Sequence, residues 1–176
     1  MKKILQGLLI IIIISVGQTA TAKLWSIGLG LEGGLPNGDI SNSYNFIAGL
    51  TARVQVHAGP GYVTFTTGGL AFTPKSISGV DTKAALQVPV KFGYKYVFLD
   101  HFFAMLELGY SNFTFYSVDS NNSLVSQKTG GFTYAPGIGV QAAKLEASIR
   151  YESFAVSVAG TNTNVSFIAL RLGFNF

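Results

Sequence analysis

Hydrophobic and polar residues alternate along most of the chain after residue 22, in runs of about ten residues separated by turn-forming residues. The most regular run covers residues 86–96, where Leu, Val, Phe or Tyr occupies every second position and Gln, Pro, Lys or Gly stands between them. Because successive side chains of a β-strand point to opposite faces, each run predicts a strand with one apolar face and one small or polar face. This part of the chain has no convincing helical period.

Eight runs of this kind are present, and an even number of strands is typical of bacterial membrane β-barrels. They begin near Trp25, Phe46, Tyr62, Leu86, Ala104, Phe132, Leu145 and Val165. The connections alternate between long and short, with long loops predicted at residues 33–43, 73–83, 116–130 and 153–164. The third run alternates least well, which leaves the facing of its strand open and predicts a bulge near Gly68 and Gly69. Together the runs predict an all-β fold: an eight-stranded antiparallel up-and-down transmembrane β-barrel.

Charged residues within the runs all take the phase that opposes the apolar residues. We predict that they form a charge network in the barrel interior, made of Glu32, Arg53, Lys91, Lys95, Glu107, Lys144, Glu146, Arg150, Glu152 and Arg171. A soluble sandwich would bury its apolar face and expose its charges, so this arrangement favours lipid around the barrel. The network could serve as a plug of salt bridges or as an ion pathway, and the narrow interior of eight strands favours the plug.

The first 22 residues have the features of a cleaved signal peptide. Lys2 and Lys3 form a basic start, an apolar stretch of Leu and Ile follows, and residues 20–22 read Ala-Thr-Ala before Lys23. We therefore predict a signal peptide at residues 1–22 and an outer-membrane β-barrel domain at residues 23–176. The chain contains no Cys, which excludes disulfides and a lipoprotein anchor. The predicted location is the bacterial outer membrane, after signal-peptide-directed export.

The last run, VSFIALRLGFNF, ends on alternating hydrophobic residues, Leu172, Phe174 and Phe176. It resembles the C-terminal signature of bacterial outer-membrane β-barrels, which implies that the barrel-assembly machinery recognises these residues and that periplasmic chaperones escort the chain. The run LQVPVKFGYKY followed by FFAMLELGYSNF resembles the PorT-like family of small outer-membrane barrels. The size of the chain also resembles barrels of the OmpX and OmpA type. These resemblances imply a barrel architecture rather than an activity.

The sequence offers little chemistry for catalysis or cofactor binding. The net charge of +4 includes Lys2 and Lys3, and the remaining +2 is too weak to indicate a nucleic-acid partner. The glycines at 28, 30 and 33 match G-x-G-x-x-G, but they run into a Pro-Asn-Gly turn instead of a helix. We expect no cofactor, no metal and no catalytic residues. The expected partners are outer-membrane lipid and an unidentified extracellular molecule that contacts the loops.

We therefore expect a non-enzymatic integral outer-membrane protein with an envelope structural role or a surface interaction role. One alternative is a lipid-A-modifying enzyme, which would need a histidine with a serine and an acidic partner; the only histidines, His57 and His101, fall in predicted short turns. Another alternative is a secreted soluble β-barrel with an inner ligand cavity, which requires the apolar face to point inward. Aromatic residues at both ends of the runs, including Tyr44, Phe72 and Tyr134, are interpreted as girdles at two membrane interfaces.

Overall fold

The structure, a computed structural model, describes residues 24–75, 84–118, 124–158 and 161–176, and it contains eight strands. The predicted signal peptide lies outside the described residues. The strands are β1 (Trp25–Asn37), β2 (Tyr44–Ala58), β3 (Gly61–Pro74), β4 (Ala85–Phe98), β5 (Phe102–Val118), β6 (Leu124–Ala142), β7 (Leu145–Val158) and β8 (Thr161–Asn175), with a short 3-10 helix (Gly38–Asn42) between β1 and β2. Among the described residues, no helix is long and apolar enough to cross a membrane.

Each strand pairs antiparallel with the next one, and β8 pairs with β1 from Gly28↔Asn175 to Asn37↔Ser166. This last ladder closes the sheet, so each of the eight strands is paired on both sides and no edge strand remains. The prediction of an all-β, eight-stranded, antiparallel up-and-down barrel is confirmed.

The two ends of the barrel differ. At one end, which we call the turn end, tight turns at residues 59–60, 99–101 and 143–144 join β2 to β3, β4 to β5 and β6 to β7. At the opposite end, the loop end, the strands run further than predicted. The β5–β6 ladder continues to Val118↔Leu124 and the β7–β8 ladder to Val158↔Thr161. Most of the two long loops predicted at 116–130 and 153–164 is therefore strand, because backbone pairing continues where side-chain alternation has ended.

The third strand has a regular register on both sides, and the predicted bulge at Gly68 and Gly69 is wrong. The even-numbered residues of β3 from Thr64 to Phe72 face inward, since Thr64, Thr66, Leu70 and Phe72 are all fully buried. The one register shift in the β2–β3 ladder lies between Tyr44 and Phe46 of β2.

Large apolar side chains cover the outside of the barrel. Leu31, Phe92 and Ile138, on three different strands, are 64%, 61% and 65% exposed. Soluble proteins rarely expose a continuous apolar surface of this kind. We call this surface the apolar belt; it consists of the exposed Leu, Ile, Val, Phe, Tyr and Trp side chains of the eight strands.

Apolar side chains also fill the barrel interior near the loop end. This loop-end cluster consists of Ile40, Tyr44, Ile47, Leu70, Phe72, Ala85, Phe113, Phe154, Val156, Val165, Phe167 and Ala169. The ring of Phe72 lies at its centre, 5.1 Å from that of Phe113 and 5.6 Å from that of Tyr44. Ile40 of the 3-10 helix, which connects β1 and β2 at the loop end, is buried in this cluster. The girdle interpretation was therefore wrong for Tyr44 and Phe72, which point inward because a core forms in this half of the barrel.

Candidate functional site

Nine of the ten predicted interior charges are buried inside the barrel, on the inward phase of six strands. We call them the interior network: Glu32 on β1, Arg53 on β2, Lys91 and Lys95 on β4, Glu107 on β5, Glu146, Arg150 and Glu152 on β7, and Arg171 on β8. Strict alternation along each strand puts them on one face. Each of the four carboxylates has at least one cationic nitrogen within 4.0 Å.

The tenth residue, Lys144, does not belong to this network. It lies in the turn between β6 and β7 and its side chain is exposed. Ala143 has a positive φ of 51°, so the chain reverses here and the alternation of β7 does not extend back to position 144. The ammonium of Lys144 instead lies 5.9 Å from the ring centroid of Phe174 on the outer surface.

Glu146 is the carboxylate with the most cationic partners. Arg53 Nη1 lies 2.5 Å from Glu146 Oε1, and Arg171 Nη1 lies 3.0 Å from the same oxygen. Lys95 Nζ lies 2.9 Å from Glu146 Oε2. Three cations from β2, β4 and β8 thus meet one carboxylate from β7.

Arg150 and Lys91 bind the carboxylates on the other side of the interior. Arg150 Nη1 donates a 2.6 Å hydrogen bond to Glu32 Oε1, and Arg150 Nη2 lies 3.0 Å from Glu152 Oε2. Lys91 Nζ lies 2.5 Å from Glu152 Oε2. These contacts link β1, β4 and β7, which are not neighbours in the sheet.

Neutral side chains add hydrogen bonds to the carboxylates. Thr51 donates to Glu32 Oε1 at 2.8 Å, and Gln87 donates to Glu152 Oε1 at 2.6 Å. Thr66 donates to Glu107 Oε1 at 2.5 Å. Sequence reasoning missed Thr66 because the facing of the third run was left open. The alternation of Val63 and Phe65 with threonines in the first half of that run was the signal that could have found it.

Glycines on the inward face make room for the long charged side chains. A Cβ placed on Gly30 would lie 2.5 Å from Arg171 Nε and 2.7 Å from Arg171 Cζ. The guanidinium of Arg171 therefore crosses β1 at Gly30, and its Nε donates a 3.0 Å hydrogen bond to Thr51 on β2. A side chain at position 30 would block this path.

The turn end of the interior is closed by Lys95. Its ammonium lies 5.0 Å from the ring centroid of Tyr62 and 4.9 Å from that of Phe103, and it donates a 3.0 Å hydrogen bond to Gln141. Deeper inside, Arg53, Lys91, Glu107 and Arg171 all have 0% exposure, so no space the width of a water molecule adjoins them. The interior network and the loop-end cluster together fill the interior, which is a packed plug rather than a channel.

The predicted assembly residues at the end of β8 lie on the outer surface. Leu172, Phe174 and Phe176 are 41%, 40% and 56% exposed. The rings of Phe174 and Phe176 are 5.0 Å apart, and the backbone N–H of Phe176 donates to the carbonyl of Ile27 at 2.8 Å. Their role as an assembly signal stays a prediction.

The two histidines lie at the turn end. The ring of His57 packs edge-on against Tyr62, 5.4 Å between centroids, and His101 lies in the β4–β5 turn. Among the described residues, neither imidazole has a hydrogen bond to a serine or a carboxylate, and no group of three or more His, Cys, Asp or Glu side chains is placed to hold a metal ion.

The barrel is similar to solved structures of small bacterial barrels. The N-terminal β-barrel domain of OprF from Pseudomonas aeruginosa matches with a TM-score of 0.61 at 11% identity, over 86% of this chain and 97% of that one. Ail, the attachment invasion locus protein of Yersinia pestis, matches with a TM-score of 0.60 at 13% identity, over 86% and 97%. Neisserial surface protein A matches with a TM-score of 0.56 at 13% identity, over 89% and 98%. At these identities the likeness establishes the fold.

Scans against protein-family models and against curated proteins give no match. What the interior can do chemically therefore has to be judged from its own geometry. Its carboxylates and cations are paired with each other and closed off from solvent, an arrangement that holds strands together and offers no open face to a substrate.

Proposed function

We propose that this protein is a non-enzymatic integral protein of the bacterial outer membrane, with a role in envelope structure or in surface interaction through its loop end. The observation that carries the proposal is the inversion of the usual protein pattern: nine charges of the strands are inside and the apolar belt is outside. The likeness to barrels described as outer-membrane or surface proteins, among them Ail and neisserial surface protein A, supports the same class.

Lipid explains this inversion. A Lys or Arg on the lipid-facing surface of a barrel costs about 2 to 4 kcal/mol at the bilayer midplane, whereas an interior charge can be paired. A closed barrel also satisfies every backbone group without water, which an open sheet cannot do in a bilayer. The closed β1–β8 ladder and the paired interior network meet both conditions.

The filled interior supports a role at the surface rather than in transport. The loop-end cluster and the interior network leave no open passage among the described residues. What projects from the loop end is the pair of long hairpins, β5–β6 and β7–β8. These hairpins are where a partner outside the cell would make contact.

The two alternatives from the sequence have less support. A soluble barrel with an inner ligand cavity requires an inward apolar face, and the exposed apolar belt argues against it. A lipid-A-modifying enzyme has no supporting geometry around His57 or His101. The narrower resemblance to the PorT-like family, export by residues 1–22 and recognition by the assembly machinery stay predictions.

Gel mobility of the outer-membrane fraction tests the proposal. A closed barrel resists SDS until it is heated, so the unboiled protein should migrate differently from the boiled protein. Membrane fractionation should place it with the outer membrane. Release as a soluble protein by osmotic shock, with no mobility shift, would overturn the lipid-facing assignment.

A second measurement tests which end faces outward. The chain has no cysteine, so a single cysteine can be introduced without a background. Lys128→Cys lies on the exposed part of β6 at the loop end, and Lys144→Cys lies in the exposed turn at the other end. In intact cells a membrane-impermeant maleimide should label Lys128→Cys alone. Labelling of Lys144→Cys alone would reverse the orientation and remove the proposed surface role of the hairpins.

A further inference from the structure

The turn between β4 and β5 presents large apolar side chains at its tip. Leu99 is 78% exposed, and Phe98 and Phe102 beside it are 38% and 47% exposed. Leu99 and Asp100 have positive φ angles of 49° and 61°. An exposed leucine in this conformation is unusual and needs an explanation.

The backbone of this turn favours other residues. Positive φ angles are adopted readily by Gly and less often by Asn and Asp, because the Cβ of other residues clashes with the backbone there. Leu99 fits the backbone poorly and, in water, would also expose its apolar surface. An apolar surrounding accounts for the exposed leucine side chain at this position.

Aromatic rings connect this tip to the apolar belt without a break. Tyr96 stacks on Phe98 with 6.3 Å between ring centroids, and Phe98 stacks on Phe102 at 6.2 Å. Phe92, 61% exposed, and Tyr96 lie on the same outward row of β4, which runs from the belt to the turn. The tip is therefore a continuation of the belt and not a separate patch.

The other two tight turns have no such tip. The β2–β3 turn is formed by Gly59 and Pro60, and the β6–β7 turn contains Ala143 and the exposed Lys144. Ala143 also has a positive φ, of 51° against 49° at Leu99, but its side chain is a single methyl group. An ammonium favours water or headgroups, whereas leucine and phenylalanine favour the acyl-chain boundary.

We propose that the β4–β5 turn is a lipid anchor: Leu99, Phe98 and Phe102 insert into the boundary between headgroups and acyl chains of the leaflet at the turn end, while the β6–β7 turn stays outside it. This inference rests on the proposed function, because it requires the apolar belt to lie in a bilayer. It implies that the β4–β5 turn lies deeper in the membrane than the β6–β7 turn.

Depth-dependent quenching tests the anchor. The only tryptophan, Trp25, is replaced in a Trp25→Phe background, and a new tryptophan is placed at Leu99, at Leu108 in the belt, or at Ala143. The full chain is reconstituted in phosphatidylcholine vesicles with or without brominated acyl chains, in which bromine is present both near the headgroup and near the bilayer midplane. Ala143→Trp is the matched control, since it occupies a tight turn at the same end and its φ of 51° is close to that of Leu99.

We expect Leu99→Trp to lose emission in brominated vesicles to an extent close to that of Leu108→Trp, and Ala143→Trp to keep its emission and respond to acrylamide in the water. Equal quenching of Leu99→Trp and Ala143→Trp, whether strong or weak, would overturn the anchor. Strong quenching of Leu108→Trp alone would overturn the anchor and leave the proposed function standing. Weak quenching of Leu108→Trp would overturn the proposed function itself.

Folding of each variant is checked by the heat-dependent gel shift. If Leu99→Trp does not fold, Leu99→Cys carrying a bimane fluorophore reports the same depth against Ala143→Cys, because the chain has no other cysteine. A bimane signal at position 99 that responds to acrylamide as at position 143 would again overturn the anchor.

Discussion

Arg53 and Glu146 lie on opposite walls of the barrel, on β2 and β7, yet Arg53 Nη1 is 2.5 Å from Glu146 Oε1. The two residues are 93 positions apart in the chain and their strands are not neighbours. An ion pair that spans the interior holds the walls at a fixed separation. Both side chains have 0% exposure, so neither charge is solvated if its partner is removed.

Glu146→Gln should therefore lower the free energy of unfolding by about 3 to 5 kcal/mol, because it leaves three buried cations without their shared carboxylate. Urea unfolding of the reconstituted barrel, followed by tryptophan fluorescence, measures the change. Lys144→Gln, two residues earlier but exposed in the turn, is the control and should leave the unfolding midpoint unchanged. Equal small effects of the two variants would mean that the interior network does not stabilise the barrel.

Gly30→Ala should displace the Arg171 guanidinium, since the new Cβ would lie 2.5 Å from Arg171 Nε. We expect a loss of about 1 to 3 kcal/mol, the usual cost of overpacking an interior. Gly69→Ala is the matched control, because a Cβ at Gly69 meets no atom within 4 Å and φ there is not positive. It should be neutral or stabilising by about 0.4 to 1 kcal/mol, through lower entropy of the unfolded chain. A Gly69→Ala loss as large as that of Gly30→Ala would remove the steric explanation.

Phe72→Ala should cost about 3 to 5 kcal/mol, because it empties the centre of the loop-end cluster. Phe92→Ala removes the same ring from the outer surface, where lipid can fill the space, and should cost clearly less. Unfolding of both variants in the same vesicles measures the difference. If Phe92→Ala is the more destabilising variant, the loop-end cluster is not the apolar core of the barrel.

Leu108→Lys places a charge on the belt at the level of Glu107 and should cost about 2 to 4 kcal/mol in a bilayer. Asn112→Lys lies on the same strand and the same outward face, four positions nearer the loop end, where the belt gives way to polar residues. It should cost at most about 1 kcal/mol, since the penalty falls toward the interface. Equal costs for the two lysines would mean that position 108 does not face the bilayer midplane.

Alternation in the sequence predicted the number of strands, their order and the inward phase of nine charges. It succeeded where the outward face is apolar and the inward face is polar, as at Phe92 and Lys91. It failed beyond the apolar belt, where residues such as Gln127 and Lys128 continue a strand without any apolar phase. At Lys144 the alternation of β7 was extended one residue too far, because Lys144 lies in the turn with Ala143 and not in the strand.

The partners within the interior network were beyond sequence reasoning for a different reason. Which charges meet across a barrel depends on strand tilt and register, and these are set by all eight ladders together. Nothing local to Glu146 indicates that Arg53, Lys95 and Arg171 converge on it. The Tyr44 side chain points inward because of a register shift in β2, and no local residue pattern indicated that shift.

The ladder between β1 and β8 has a consequence for how fast the barrel forms. Ser166 Oγ donates to the carbonyl of Asn37 across 129 residues, whereas every other ladder joins strands that follow each other in the chain. Hairpins form early because their contacts are local, while a distant ladder must first overcome the entropy of closing a long loop. We expect closure of β1 on β8 to limit the folding rate. Until it occurs, both edges can pair with other chains, so the refolding yield should fall as protein concentration rises.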